Sequence, residues 1–118
     1  MKGKCNCRQV EFEIIGNLPK LYQCHCSLCR KQSGSCSNTA TIIPADNIFW
    51  LSGKKHITSW KDSSGFRSDF CSICGSPVPN ILKESEYYWV PAGLLKDFEN
   101  EISVHLCVNS KATWDVIN

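Results

Sequence analysis

Hydrophobic and polar residues alternate in short bursts along this chain. Val10, Phe12 and Ile14 interleave with Gln9, Glu11 and Glu13, and that period of two predicts a half-buried strand within residues 3–15. Gly16-Asn17 and Pro19 mark a turn, and Leu21-Tyr22 open a second short strand. Residues 27–33 read as one or two helical turns, with Ser27 as N-cap and Gly34 as the stop. Further strands are expected at 36–43, which ends at Pro44, at 48–51 and 56–60 around Ser52-Gly53, and at 66–70. Pro77 and Pro79 limit the segment to Leu82 to an edge strand. Tyr87-Tyr88-Trp89-Val90 is a strongly apolar strand, Gly93 to Phe98 a turn or short helix, and Ile102 to Val108 the last strand. Trp114 to Ile117 is expected to tuck back onto the core. No segment keeps a 3.6 period over ten residues. The pattern therefore predicts a mainly β chain with one short helix, residues 1–118 forming a single domain.

Composition changes that picture little. With 42% hydrophobic and 20% charged residues the chain is ordinary for a soluble globular protein. A formal net charge of +2 is too mild to drive phosphate neutralisation, so nucleic acid is not an expected partner. The opening Met1-Lys2-Gly3-Lys4-Cys5 lacks an apolar signal region, and no run approaches the ~20 apolar residues of a membrane span. A cytoplasmic protein without a membrane partner is the expectation.

The cysteines change it a great deal. Nine is an odd number for disulfides, and the residues cluster: Cys5-x-Cys7, Cys24-x-Cys26-x-x-Cys29 and Cys71-x-x-Cys74, with Cys36 and Cys107 apart. Such spacing suits metal ions, since zinc bound to sulfur at ~2.3 Å needs sulfurs roughly 3.8 Å apart. Cys5 and Cys7, alternating on a strand face, would join the Cys71–Cys74 knuckle, whose Gly75 lets backbone amides turn toward the sulfurs. That closed four-sulfur zinc would contribute an apparent ~10–16 kcal/mol, comparable to a whole domain's stability.

In an extended segment Cys24 and Cys26 share a face while His25 faces away, and a turn through Ser27 and Leu28 returns Cys29 as a third ligand. Three protein ligands leave an open position, the arrangement of a catalytic zinc. The alternative is a second structural zinc closed by Cys36, His25 or His105. Cys107, in an apolar strand, reads as a buried thiol, and His56 and His105 as ordinary strand residues. Arg30 and Lys31 flank the open site and could hold an anionic ligand.

Gly3-x-Cys5-x-Cys7, Cys24-His25-Cys26-x-x-Cys29-Arg30-Lys31-x-x-Gly34 and Arg67-x-x-Phe70-Cys71-x-x-Cys74-Gly75-Ser76 together resemble the glutathione-dependent formaldehyde-activating enzyme family. Gly93 to Asp97 and His105-Leu106 through Ser110-Lys111 to Trp114 are similar to the family's later signatures. The resemblance implies a β-tent of short antiparallel sheets with two zincs. Its structural zinc would fall on Cys5, Cys7, Cys71 and Cys74, and its catalytic zinc on Cys24, Cys26 and Cys29. It also implies a carbon–sulfur lyase forming S-hydroxymethylglutathione from glutathione and formaldehyde.

The chemistry this suggests is activation of a thiol at the open zinc position and its addition to a small aldehyde. Arg30, Lys31, Arg67 and Lys111 are candidates for the carboxylates of glutathione. Two other classes use the same residues: a non-enzymatic glutathione or zinc carrier, and a zinc-ribbon-like interaction module.

Overall fold

The computed structural model describes residues 1–82, 85–96 and 101–116. Its strands and helix, in chain order, are β1 (Lys2–Lys4), β2 (Glu11–Ile14), β3 (Leu21–Cys24), α1 (Ser27–Ser33), β4 (Asn38–Pro44), β5 (Ile48–Ser52), β6 (Ile57–Lys61), β7 (Arg67–Cys71), β8 (Asn80–Ile81), β9 (Tyr87–Pro91) and β10 (Ile102–Leu106). They form a small sheet in the order β1-β2-β5, a larger one in the order β10-β3-β4-β9-β8, and a β6-β7 hairpin. Mainly β with one short α-helix is what the alternation predicted. β8, between the prolines and β9, is a two-residue edge strand as expected.

The strand expected across residues 3–15 is broken in two. Lys2–Lys4 and Glu11–Ile14 pair with each other, and Cys5 to Val10 turn between them. Arg8 takes a left-handed φ of 67°, and the Cys5 backbone bonds both Arg8 N and Val10 O at 3.1 Å. Cys5 and Cys7 therefore sit on a turn rather than on alternating strand positions. A second ladder differs from the all-antiparallel expectation: β10 runs parallel to β3, from Ile102 beside Leu21 to Leu106 beside Cys24. No local pattern encodes that direction, because it depends on the side from which the chain returns to the edge of β3.

The core lies between the two larger sheets. Phe12 and Ile14 on β2 meet Ile43, Ile48, Val90 and Leu95, with Leu18, Trp50, Tyr88 and Leu94 packed at the margin. Phe12–Trp50 and Trp50–Tyr88 are edge-to-face pairs at 6.0 and 6.1 Å. β4 is the central strand, and its alternation gives it two working faces. Ile43 points into this core, whereas Asn38, Ala40 and Ile42 point to the opposite face. A second, smaller cluster joins Val10 and Val78 to Cys5 and Cys71.

The C-terminal stretch departs from its expected packing. Trp114 and Val116 are 67% and 74% exposed, and Ile117, like Phe98, lies outside the described residues. The residue that turns inward is Asp115, whose carboxylate lies 3.5 Å from His25 Nδ1, and its flanking side chains are thereby directed outward. Among the described residues no helix is long and apolar enough to cross a membrane.

Gly53 controls the approach of the small sheet's ends. It has a φ of +76°, and a Cβ there would overlap the Gln9 carbonyl, the group that accepts from Ser52 Oγ at 3.1 Å. Gly53→Ala is expected to cost about 2–3 kcal/mol, from the left-handed backbone and the displaced turn together. Gly93, with open space around it, is the control, and Gly93→Ala should stay within roughly 0.5 kcal/mol in urea unfolding of the metal-loaded protein.

Candidate metal centres

Two groups of cysteines have sulfurs that all lie within 4.8 Å of one another: Cys5, Cys7, Cys71 and Cys74, and separately Cys24, Cys26 and Cys29. In the first, Cys5 Sγ is 3.5 Å from Cys7 Sγ, which is 3.7 Å from Cys71 Sγ. These spacings match the roughly 3.8 Å edge of a zinc–sulfur tetrahedron. Both arms are built alike. Each presents two cysteines on a tight turn relaxed by a left-handed residue, Arg8 in one and Gly75 (φ 81°) in the other. Gly75 N–H donates to Cys71 O at 2.8 Å, and Cys71 N–H donates to Ser76 O at 2.9 Å. Val10 N–H points to Cys5 Sγ at 3.4 Å, and Asn6 N–H donates to Ser76 Oγ at 3.0 Å across the two arms. The Ser76 hydroxyl, 3.3 Å from Cys74 Sγ, together with the Ser76 and Cys7 backbone N–H groups, brings the Cys74 thiol down to about 5. Four soft donors surrounded by N–H and O–H groups suit a divalent, thiophilic ion such as zinc.

The second group is local. Cys24 ends β3, Cys26 caps α1, and Cys29 lies buried in its first turn. The cap is Cys26 rather than Ser27: its Sγ accepts the Cys29 N–H at 3.4 Å, and its carbonyl accepts the Arg30 N–H at 2.9 Å. Gly34, with a φ of 67°, closes the helix by donating to Arg30 O. Burial pushes the Cys24 and Cys29 thiols up. Burial acts on Cys26 in the same sense, but it is outweighed by hydrogen bonds from the Cys29 N–H, the neighbouring thiols and the Leu28 N–H, so its thiol falls below the ordinary range. Three thiols sharing so small a space hold a divalent ion more readily than three separate charges. No fourth histidine, cysteine or carboxylate joins them within that distance among the described residues.

The residues weighed as a fourth ligand lie elsewhere. Cys36 Sγ sits 3.9 and 3.8 Å from the hydroxyls of Ser35 and Ser37. His25 is 1% exposed and turned away from the sulfurs' face, its Nε2 3.1 Å from His105 Nδ1 and its ring stacked on His105 at 5.4 Å. Its backbone N–H donates to Leu106 O at 2.9 Å, so the middle residue of the cysteine stretch is pinned to β10 by backbone and ring together. The Asp115 contact completes a buried polar group that sequence reasoning missed. Cys107 is exposed rather than buried: it sits just past the end of β10 in a left-handed turn (φ 56°), after a strand whose own residues are largely exposed.

A cavity of ≈ 230 Å³ opens beside the three-cysteine group, with Cys24 and Cys29 in its wall. Its floor is the face of the large sheet set by alternation, with Tyr22 and Cys24 from β3, Ala40 and Ile42 from β4, and Trp89 from β9. Phe66 and Arg67 roof it from the β6-β7 hairpin. The Arg67 guanidinium is occupied, holding Asp69 through two bonds of 2.8 and 3.1 Å, which raise its pKa, and Ser59 Oγ at 3.2 Å. Arg30 and Lys31 follow Cys29 on α1 outside the cavity wall; Arg30 Nε donates to His25 O at 3.3 Å, and Lys31 is exposed. Lys111 Nζ donates to Asp115 O at 2.9 Å.

Comparison with known proteins agrees with this geometry. The family model described as glutathione-dependent formaldehyde-activating enzyme matches residues 1–109. The chain is 26% identical to an uncharacterized lyase of Schizosaccharomyces pombe, over 93% of this chain and 80% of that protein. It is also 26% identical to a protein of Halomonas elongata, provisionally named a glutathione-dependent formaldehyde-activating enzyme, over 66% of this chain. The chain spans about half of that relative, 54% of its length. A crystal structure of a Rhodobacter sphaeroides protein superposes with a TM-score of 0.71 at 22% identity, covering 89% of this chain and 99% of that one, a likeness of fold. With the match extending over residues 1–109 and both cysteine groups assembled, the chain belongs to the glutathione-dependent formaldehyde-activating enzyme family.

Proposed function

We propose that this chain is a zinc-dependent enzyme of the carbon–sulfur lyase type, joining a small thiol such as glutathione to a small aldehyde such as formaldehyde. One observation carries the reading: a three-sulfur group, without a fourth ligating side chain among the described residues, stands in the wall of a cavity. A closed structural site would have no need of an adjoining cavity. The family membership points the same way. Residues 1–118 act as one unit in this reading, with one zinc on Cys5, Cys7, Cys71 and Cys74 and a second on Cys24, Cys26 and Cys29.

Held by Cys24, Cys26 and Cys29, zinc would supply Lewis acidity, which lowers the pKa of a thiol toward neutral pH. The chain's own side chains do the rest. Arg67 is paired with Asp69 and Lys111 holds Asp115 O, whereas Arg30 gives only its Nε to His25 O and Lys31 is exposed, so the carboxylates of glutathione fall to Arg30 and Lys31 on α1. Gln32 and Asn38 stand on the cavity wall, joined by a 2.6 Å bond from Asn38 Nδ2 to Gln32 Oε1. That bond directs the Gln32 amide so that its Nε2 is a donor for an aldehyde oxygen. The apolar walls keep water from competing for the carbonyl.

One observation favours a carrier as the second reading. Apart from its cysteines, the cavity lining among the described residues contains Tyr22 and Arg67 but no carboxylate or imidazole to move a proton. Multiple turnover of formaldehyde faster than the uncatalysed reaction separates the enzyme from the carrier, which would bind thiol stoichiometrically and stop.

Metal analysis of protein purified under reducing conditions is expected to give close to two zincs per chain, the second held more loosely. Cys71→Ser, which opens the site that joins distant segments, is expected to unfold the domain or lower its stability severely. Cys26→Ser should lose one zinc and keep the fold, since its partners lie within one local stretch. Equal thermal destabilisation by the two substitutions would favour two structural zincs.

Cobalt substituted into the second site should show a new sulfur-to-metal charge-transfer band when a small thiol is added. Arg30→Ala is expected to weaken glutathione more than 2-mercaptoethanol, by about 1.5–3 kcal/mol, as for a charged hydrogen bond. A cobalt spectrum indifferent to every thiol would mean a closed site and would remove the lyase reading.

A further inference from the structure

The cavity beside Cys24 and Cys29 is far larger than formaldehyde requires. An apolar cavity of about 150 Å³ lined by aliphatic and aromatic side chains is enough to take up benzene. This one measures ≈ 230 Å³, and Tyr22, Ile42, Phe66, Ile81, Leu82 and Trp89 contribute most of its wall. Most of its polar side chains are already engaged, leaving the Gln32 Nε2 and the Tyr22 hydroxyl. Arg67 is neutralised by Asp69, Asn38 is bonded to Gln32, and Asn80 Nδ2 donates to Arg67 O at 3.3 Å. A charged tripeptide would lose its hydration there and meet no unpaired cation among the described lining residues. The cations suited to such a thiol, Arg30 and Lys31, stand on α1 outside the wall. The two sides of the three-cysteine group thus differ in chemistry, basic along α1 and apolar within the cavity.

We propose that the carbonyl substrate of this site is an aldehyde bearing a ring-sized apolar group, seated in the cavity with its carbonyl carbon toward Cys24 and Cys29. This deepens the thiol–aldehyde reading above and rests on it. The reaction balances without a further reactant. The thiol sulfur forms a bond to the carbonyl carbon, the carbon–oxygen π bond breaks, and the thiol proton ends on the oxygen, giving a hemithioacetal with no change in oxidation state. The Trp89 and Phe66 rings face the substrate's ring, and Ala40, whose small side chain leaves the floor open, sets the depth.

The test uses the zinc-loaded full chain with glutathione saturating and an aldehyde series of acetaldehyde, isobutyraldehyde and benzaldehyde, each rate divided by its uncatalysed rate. KM is expected to fall at least tenfold from acetaldehyde to benzaldehyde. Benzyl alcohol, which cannot react, should bind and compete with benzaldehyde. Ala40→Leu fills the floor and should reduce the benzaldehyde-to-acetaldehyde ratio of kcat/KM about tenfold. Leu106→Glu, at the half-open rim and tolerant of charge for folding, should lower the same ratio. A flat KM series with no benzyl alcohol binding would overturn the proposal while formaldehyde turnover still upheld the lyase reading. A preference appearing only on the thiol side, for benzyl mercaptan over glutathione, would overturn it as well. Benzyl alcohol binding without turnover of any aldehyde would uphold the apolar cavity and remove the lyase reading.

Discussion

Closure of four sulfurs from two distant turns is the constraint on which the rest of the molecule depends. The β6-β7 hairpin has little apolar anchorage of its own, since β6 is exposed along most of its length. Its attachment to the small sheet runs through Cys5, Cys7, Cys71 and Cys74, supported by the few buried side chains of the second cluster. Burial of Val10 and Val78 contributes about 1.5–3 kcal/mol each, well below the ~10–16 kcal/mol that a structural zinc would add if held by these sulfurs. The consequence reaches the functional site. The far end of that hairpin carries Phe66 and Arg67, the roof of the cavity, so the closed four-sulfur site fixes the shape of a cavity it does not touch.

The three-cysteine group is organised on the opposite principle. Its sulfurs span a few residues, and their convergence follows from a strand end and the first helical turn that Cys26 caps. What needs support is the position of the whole stretch. His25 provides it from behind, with its ring against His105 and Asp115 and its backbone bonded to Leu106. A residue between two of the clustered cysteines thereby ties them to the parallel strand β10. This arrangement leaves Cys24 and Cys29 in the cavity wall.

The cavity also explains why α1 can be short. About two turns suffice to return Cys29 over the sheet and to place Arg30 and Lys31 outside the apolar wall. Cation and cavity are then separated by the helix itself, which divides the surroundings of the three-cysteine group into two chemistries.

The sequence by itself determined whatever is encoded over a few residues. The alternation around Phe12, the stop at Gly34 and the three cysteine clusters all follow from backbone periods and ligand spacings that a short segment carries whole. The division of the clustered cysteines into a four and a three was equally legible, because thiol spacing limits which sulfurs can share an ion. Only the tertiary structure decided the rest. That Cys5 and Cys7 ride a turn, that Cys107 is exposed, and that β10 runs parallel to β3 depend on where returning segments meet the sheet. The His25–His105 contact spans 80 residues of sequence and the Arg67 roof comes from a separate hairpin. Contacts between segments so far apart leave no local period or spacing, because loop closure varies only slowly with chain length and favours no particular partner.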